Sequence, residues 1–153
     1  VRLEKVDDLW RVVSPVEAEA DQSAVDTALD KLGELELTGV VANNATNHAR
    51  LEVDEAHGIR VVVTQGDADP ITLFVGARRG QSTMVRLDGD DRVLGVAGSI
   101  KYAFNKELKD WRNRRVVDVD PERVRRVRFE SGDGTFEFSR AGDDWAPVEG
   151  QEP

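Results

Sequence analysis

VRLEKVDDLWRVVSP, residues 1–15, has a counterpart in FEFSRAGDDWAPVEG, residues 136–150. Laid together without a gap, Val1 meets Phe136, Leu3 meets Phe138, Lys5 meets Arg140, Asp8 meets Asp143 and Trp10 meets Trp145. Each stretch alternates apolar and polar residues, turns at an acidic tip and opens a second strand with tryptophan. Period-two alternation marks a strand with one buried face. Asp and Gly suit the tight turn between two such strands. One hairpin at both ends of a chain points to repeated modules, and makes Trp10 and Trp145 equivalent anchors, each expected to be buried beneath hairpin and helix residues.

Outward from the first copy, residues 16–20 form a small-residue, acidic connector. Asp21 is suited to cap a helix, because its carboxylate can accept from the first free N–H groups. Ala24, Val25, Ala28, Leu29, Leu32 and Leu35 recur at three- and four-residue spacing, which predicts an amphipathic helix over residues 22–36. Residues 38–42 read as a strand and residues 43–50 as a polar loop or helical turn. Residues 59–65 and 71–75 pair around Gly66-Asp67-Ala68-Asp69-Pro70, residues 76–80 turn, and residues 82–87 and 92–97 pair around Asp88-Gly89-Asp90-Asp91. Ser99 is placed to cap a second helix carrying Ile100, Phe104, Leu108 and Trp111. Asp120-Pro121-Glu122-Arg123 reads as one helical turn. Residues 124–130 and 135–139 form a further hairpin, Trp145 opens the last strand, and residues 149–153 read as a frayed tail.

The resulting fold class is α+β: antiparallel hairpins and a meander with two main helices, arranged as repeated hairpin–helix units. The expected organisation is one domain over residues 1–153. Repeat halves of about residues 1–37 and 124–153 would flank a central meander and helix over residues 38–123. The chain lacks an initiator methionine and opens inside a strand, so it reads as a fragment of a longer protein.

Composition bounds the function. With 39% hydrophobic and 33% charged residues, the chain suits a soluble folded domain and not a disordered one. The net charge of −9 argues against general nucleic-acid binding, which needs a basic field to neutralise phosphates. The absence of cysteine excludes disulfides and thiolate metal sites. No apolar run approaches the roughly 20 residues needed to span a bilayer, and no signal peptide is visible.

The candidate sites are few. His48, Glu52 and His57 are the one grouping near metal chemistry, against the plainer reading of exposed polar side chains. The acidic tips lack EF-hand spacing and read as turns. Arg112, Arg114, Arg115, Arg126 and Arg128 lie in the one basic stretch and could form an interaction surface for phosphate, anionic lipid or an acidic partner. The plainer reading, and the favoured one, is that they offset the chain's own excess acid. Trp10, Trp111 and Trp145 read as structural anchors. No Ser or Thr has a histidine at recognisable triad spacing, and the glycines cluster in turns rather than in a phosphate cradle. The residues therefore assign no catalytic, cofactor-binding or metal-binding group, and the expectation is a protein that is not an enzyme and needs no cofactor.

Three places carry a family resemblance. They are residues 10–35, Ile71-Thr72-Leu73-Phe74-Val75-Gly76, and Trp111-Arg112-Asn113-Arg114-Arg115-Val116-Val117-Asp118-Val119-Asp120. The last runs into Val124-Arg125-Arg126-Val127-Arg128-Phe129 and the Trp145 hairpin. In this order the chain resembles the bacterial domain-of-unknown-function family 4340, over nearly its whole length. Where that family usually shows a Gly-Leu-Asp-like step, this chain reads Ala49-Arg50-Leu51-Glu52-Val53-Asp54.

The resemblance implies a membrane-anchored, extracytoplasmic protein whose anchor lies outside this sequence, with relatives that accompany ABC transporters of the gliding-motility type. It carries no catalytic residues over. The expectation is a periplasmic scaffold or partner-binding module with a protein partner in the cell envelope. The alternative is a binding domain for a small ligand, an anionic lipid or an envelope polymer.

Overall fold

A computed structural model describes residues 1–148; the tail expected to fray lies outside the described residues. The chain forms two compact units, Val1–Arg114 and Arg115–Pro153.

The first unit opens with β1 (Arg2–Val6), β2 (Leu9–Ser14) and the short β3 (Ala18–Glu19), a sheet of order β1-β2-β3. β3 lies within the stretch expected to be a plain connector. Asp7 and Asp8 both take positive φ, 48° and 66°, the type I′ geometry that a two-residue hairpin of right-twisted strands requires. Helix α1 follows as Gln22–Gly33, and Asp21 Oδ1 accepts from Ala24 N at 3.1 Å, capping it as expected. The helix ends at Gly33, short of the predicted 36, and Leu35 still packs against the core.

The central sheet comprises β4 (Leu37–Ala42), β5 (Ile59–Val63), β6 (Ile71–Arg79), β7 (Ser82–Leu87) and β8 (Val93–Ala97). Its order is β4-β8-β7-β6-β5, antiparallel throughout. The expected meander is β5 to β8, and β4 closes the edge beside β8. The expected turn at residues 76–80 is corrected: β6 runs through Gly76 to Arg79. Gly76 serves a close approach, since a Cβ there would lie 2.6 Å from Val53 Cγ1 and 2.7 Å from Glu52 O.

The second helix is also corrected. Ile100, Phe104, Leu108 and Trp111 lie on two single turns, α2 (Lys101–Phe104) and α3 (Leu108–Trp111). Ile100, not Ser99, is the N-cap of α2, and it makes no side-chain cap bond. A capping box of Glu107 and Asp110 starts α3 afresh.

Alternation along β6 divides the core. Leu73 and Val75 join Val12, Ala20, Val25, Ala28, Val85, Val96, Ile100, Ala103, Phe104 and Trp111 on one side. Phe74 joins Leu51, Val53, Met84 and Val93 on the other.

The second unit holds β9 (Arg126–Ser131), β10 (Gly134–Ala141) and β11 (Asp144–Pro147), in order β11-β10-β9. Ahead of them, the expected helical turn is a single hydrogen-bonded turn in which Arg123 N donates to Asp120 O at 3.0 Å.

Candidate functional site

The two ends of the chain agree in register. In the first hairpin Lys5 lies opposite Trp10 and Leu3 opposite Val12. In the second, Arg140 lies opposite Trp145 and Phe138 opposite Pro147. Each base also reaches the acid at its own turn, Lys5 Nζ to Asp8 Oδ1 at 3.7 Å and Arg140 Nη2 to Asp143 Oδ1 at 3.9 Å. The turns themselves differ. Gly142 has φ 66° while Asp143 has no positive φ, the type II′ pattern with glycine first.

Burial separates the copies. Trp10 is half-buried and packs on the main core with Leu3 and Ala18. Its backbone N–H donates to Gln22 Oε1 at 2.9 Å, and its carbonyl accepts from Gln22 Nε2 at 2.9 Å and from Ala20 N at 3.2 Å. Trp145, expected to be buried in the same way, is 43% exposed. β11 is an edge strand of a three-stranded sheet, and no helix occurs among the described residues of that unit.

Trp145 shares its exposed face with other aromatics. Side chains alternate across a sheet, so the cross-strand pairs Phe136–Phe129, Phe138–Val127, Phe138–Pro147 and Arg140–Trp145 put seven side chains on one face. Phe129 is 57% and Phe136 45% exposed. Phe129 and Phe138 meet edge to face, centroids 6.3 Å apart. Arg140 secures one end, its Nε donating to Gly142 O at 3.1 Å and its Nη1 to Pro121 O at 3.2 Å. Alternating phenylalanines on β10 were the available sequence signal, but the shared face needs the register with β9.

The arginines do not form one cluster. Arg112 and Arg114 belong to the first unit and Arg115, Arg126 and Arg128 to the second. Arg112 forms a backbone bridge with Ala20. Arg114 lines an open polar groove with Asp21, Ser23, Thr27, Tyr102 and Lys106. In that groove the Ser23 hydroxyl and Ala24 N–H hold the Asp21 carboxyl below its ordinary value. Arg126 pairs with Glu137 at 3.0 Å, Arg128 with Glu130 at 2.6 Å and Arg115 with Asp118 at 3.4 Å. Three of the five thus meet the chain's own acids; the Arg115 and Arg128 pairs are exposed on both sides, where ion pairs contribute little, while Glu137 is partly covered.

His48, Glu52 and His57 are directed to different partners. His48 Nε2 lies 2.8 Å from Asp91 O, Lys101 Nζ donates to Glu52 Oε2 at 2.7 Å, and His57 Nδ1 lies 2.8 Å from Asp54 Oδ1. The Lys101 ammonium holds the Glu52 carboxyl below its ordinary value. Desolvation pushes Asp54 up, but hydrogen bonds from the His57 ring and backbone N–H outweigh it, and the net shift is downward. Among the described residues no three His, Cys, Asp or Glu side chains are grouped as a metal site would require.

One buried cation escaped the sequence reading. Arg86 stacks over Phe74 at 4.3 Å and donates from Nε to Val53 O at 2.9 Å. Among the described residues no helix is long and apolar enough to cross a membrane.

Compared with known families, residues 10–153 match the model described as Domain of unknown function (DUF4340). No curated protein and no solved structure matches the chain.

Proposed function

We propose that the chain, which belongs to the DUF4340 family, is a non-enzymatic partner-binding module of a bacterial envelope protein, working outside the cytoplasm as a scaffold beside an ABC transporter. The observation that carries the binding role is the aromatic face of the second unit, where Phe129, Phe136 and Trp145 are exposed together. Contiguous apolar surface of this kind is a mark of interaction sites, and tryptophan is enriched where binding energy concentrates. The non-enzymatic part is supported by the titratable groups the sequence singled out. Among the described residues His48, Glu52 and His57 are each tied to a different neighbour, so these three do not converge on one point as an acid, base and nucleophile would. The envelope placement and the transporter association rest on the family resemblance alone.

The placement is tested by fractionating a bacterium that expresses the tagged parent protein. The expected result is recovery with the membranes and digestion of the tag by protease added to spheroplasts. Recovery in the cytosol, protected from protease, overturns the placement. A thermal-shift screen tests the binding role against metals, anionic vesicles and glycans. The scaffold reading expects no shift from any of them. A shift with vesicles or glycans that is lost in Trp145→Ala transfers the face to a lipid or polymer ligand. An activity lost in His48→Ala or His57→Ala would replace the proposal with an enzyme.

A further inference from the structure

We infer that the aromatic face of the second unit's sheet is a docking site for an amphipathic helix of the α1 kind, led in by a short extended segment along β11. The surface follows from the repeated hairpin geometry and does not depend on the envelope placement.

The first unit shows what such a face accepts. Leu3, Trp10, Val12 and Ala18 lie in one core with Val25 and Ala28 of α1. The chain reaches that helix through β3, which pairs with β2 at Arg11–Glu19 and Val12–Ala18. Ala20 N and the Gln22 side chain then satisfy the outward backbone groups of Trp10. Apolar face and strand edge are closed by one continuous segment, a short strand followed by a glutamine-led helix.

The second unit presents both halves of that arrangement. Phe138, Trp145 and Pro147 take the register positions of Leu3, Trp10 and Val12. Phe129, Phe136 and Val127 extend the same face across β10 and β9. The edge matches as well. Arg140 N donates to Arg125 O at 2.9 Å, on the side of β10 away from β11. Residues opposite each other in an antiparallel ladder alternate between bonded and non-bonded pairs, so Arg140 and Trp145 are a non-bonded pair. The N–H and C=O of Trp145 therefore point to the outer edge of β11, as those of Trp10 point to Ala20 and Gln22. The face carries phenylalanine at position 138 where its counterpart has Leu3, and proline at 147 where it has Val12. A helix with a stripe of small residues, such as Ala24, Val25 and Ala28 on α1, suits it.

The test extends the full chain beyond Pro153 with a copy of its own residues 19–36. Residue 154 then corresponds to Glu19, and the added helix follows Trp145 at the spacing at which α1 follows Trp10. Hydrogen exchange read by mass spectrometry over residues 143–148 should slow at least tenfold, with a shift of the Trp145 indole resonance. An extension carrying serine in place of the copied Val25, Ala28 and Leu32 should give no slowing. The extended chain with Phe136→Ser should also lose the effect while β9–β10 and first-unit amides exchange as before, which shows that the sheet still folds. No slowing, or equal slowing with the serine control, overturns the proposal. So does slowing in the unextended chain that appears with doubled mass, which assigns the face to a second copy. Slowing caused by phosphatidylglycerol vesicles assigns it to lipid and overturns it too.

Discussion

Asp90 and Arg92 lock the turn between β7 and β8. Arg92 Nη2 lies 2.7 Å from Asp90 Oδ2, Arg92 Nε is 3.1 Å and 3.0 Å from the two carboxylate oxygens, and Arg92 N donates to Oδ1 at 2.9 Å. The guanidinium and backbone bonds hold the carboxyl down from 3.8 to about 2. A carboxyl with a depressed folded-state value stabilises the fold fully above its unfolded value and loses that contribution as pH falls from 3.8 through about 2. A carbon-detected NMR titration should therefore place the Asp90 midpoint near 2. In Arg92→Gln it should return towards the ordinary carboxylate value. The stability gap between wild type and variant should shrink over that same acid window, and a gap independent of pH would refute the coupling. Gly76 is a second residue-scale case. Its flanking arginines and Gly80 make it look like punctuation, whereas its reason is the backbone of residues 51–53 pressing on β6. Nothing within residues 76–80 encodes that contact, which depends on a loop distant in sequence. Gly76→Ala should cost about 1–3 kcal/mol in denaturant unfolding, the usual range for overpacking a filled core.

At the scale of elements, periodicity explains both the success with α1 and the error with α2 and α3. In α1 the apolar spacing, the Asp21 cap and the terminal glycine agree, so local and tertiary preferences coincide. Ile100, Phe104, Leu108 and Trp111 have helical spacing too, yet the chain breaks after Phe104. Lys106 N donates back to Phe104 O, and the Glu107–Asp110 capping box opens a new turn. The box runs Glu-x-x-Asp, not the usual Ser/Thr-x-x-Glu order, so the apolar spacing alone did not reveal the break. Gln22 was not legible as anything more than the first residue of a helix. Its amide joins α1 to β2, donating to Trp10 O and Ala20 O and accepting from Trp10 N, all at 2.9 Å. Gln22→Glu keeps the size and the acceptor but removes the donor, placing a carboxylate against two carbonyls. It should destabilise the first unit by about 1–3 kcal/mol at neutral pH, in line with half-buried polar groups left unpaired. Chemical denaturation checks this. A Gln22→Glu variant as stable as wild type would show that the amide bridge contributes nothing.

At the scale of the whole molecule, the hairpin repeat was readable because a hairpin's register follows from its turn and its alternation, both local properties. The burial of Trp145 was not readable, because burial depends on what lies over the sheet, and among the described residues no helix follows β11 as α1 follows β3. The same limit applies to the arginines. One basic stretch in the sequence is divided between two compact units, the boundary falling after Arg114. That boundary supports a last expectation. Between α3 and β9 the chain has no helix or strand, and Val116, 97% exposed, is followed by exposed Val117 and Val119. Arg112 is held by its bridge to Ala20, and Asn113 N donates to Glu19 O at 2.9 Å. Backbone free of ladder hydrogen bonds is what a protease needs to engage. Limited trypsin should therefore cut first after Arg114 or Arg115. Mass spectrometry should find a product beginning at Arg115 or Val116, and the larger product should keep a cooperative thermal transition, because it contains both buried clusters. A first cut after Arg50, Arg78 or Arg79 would show that the first unit opens before the connection does, contrary to a boundary at Arg114. If the larger product loses its transition, the two units depend on each other for stability.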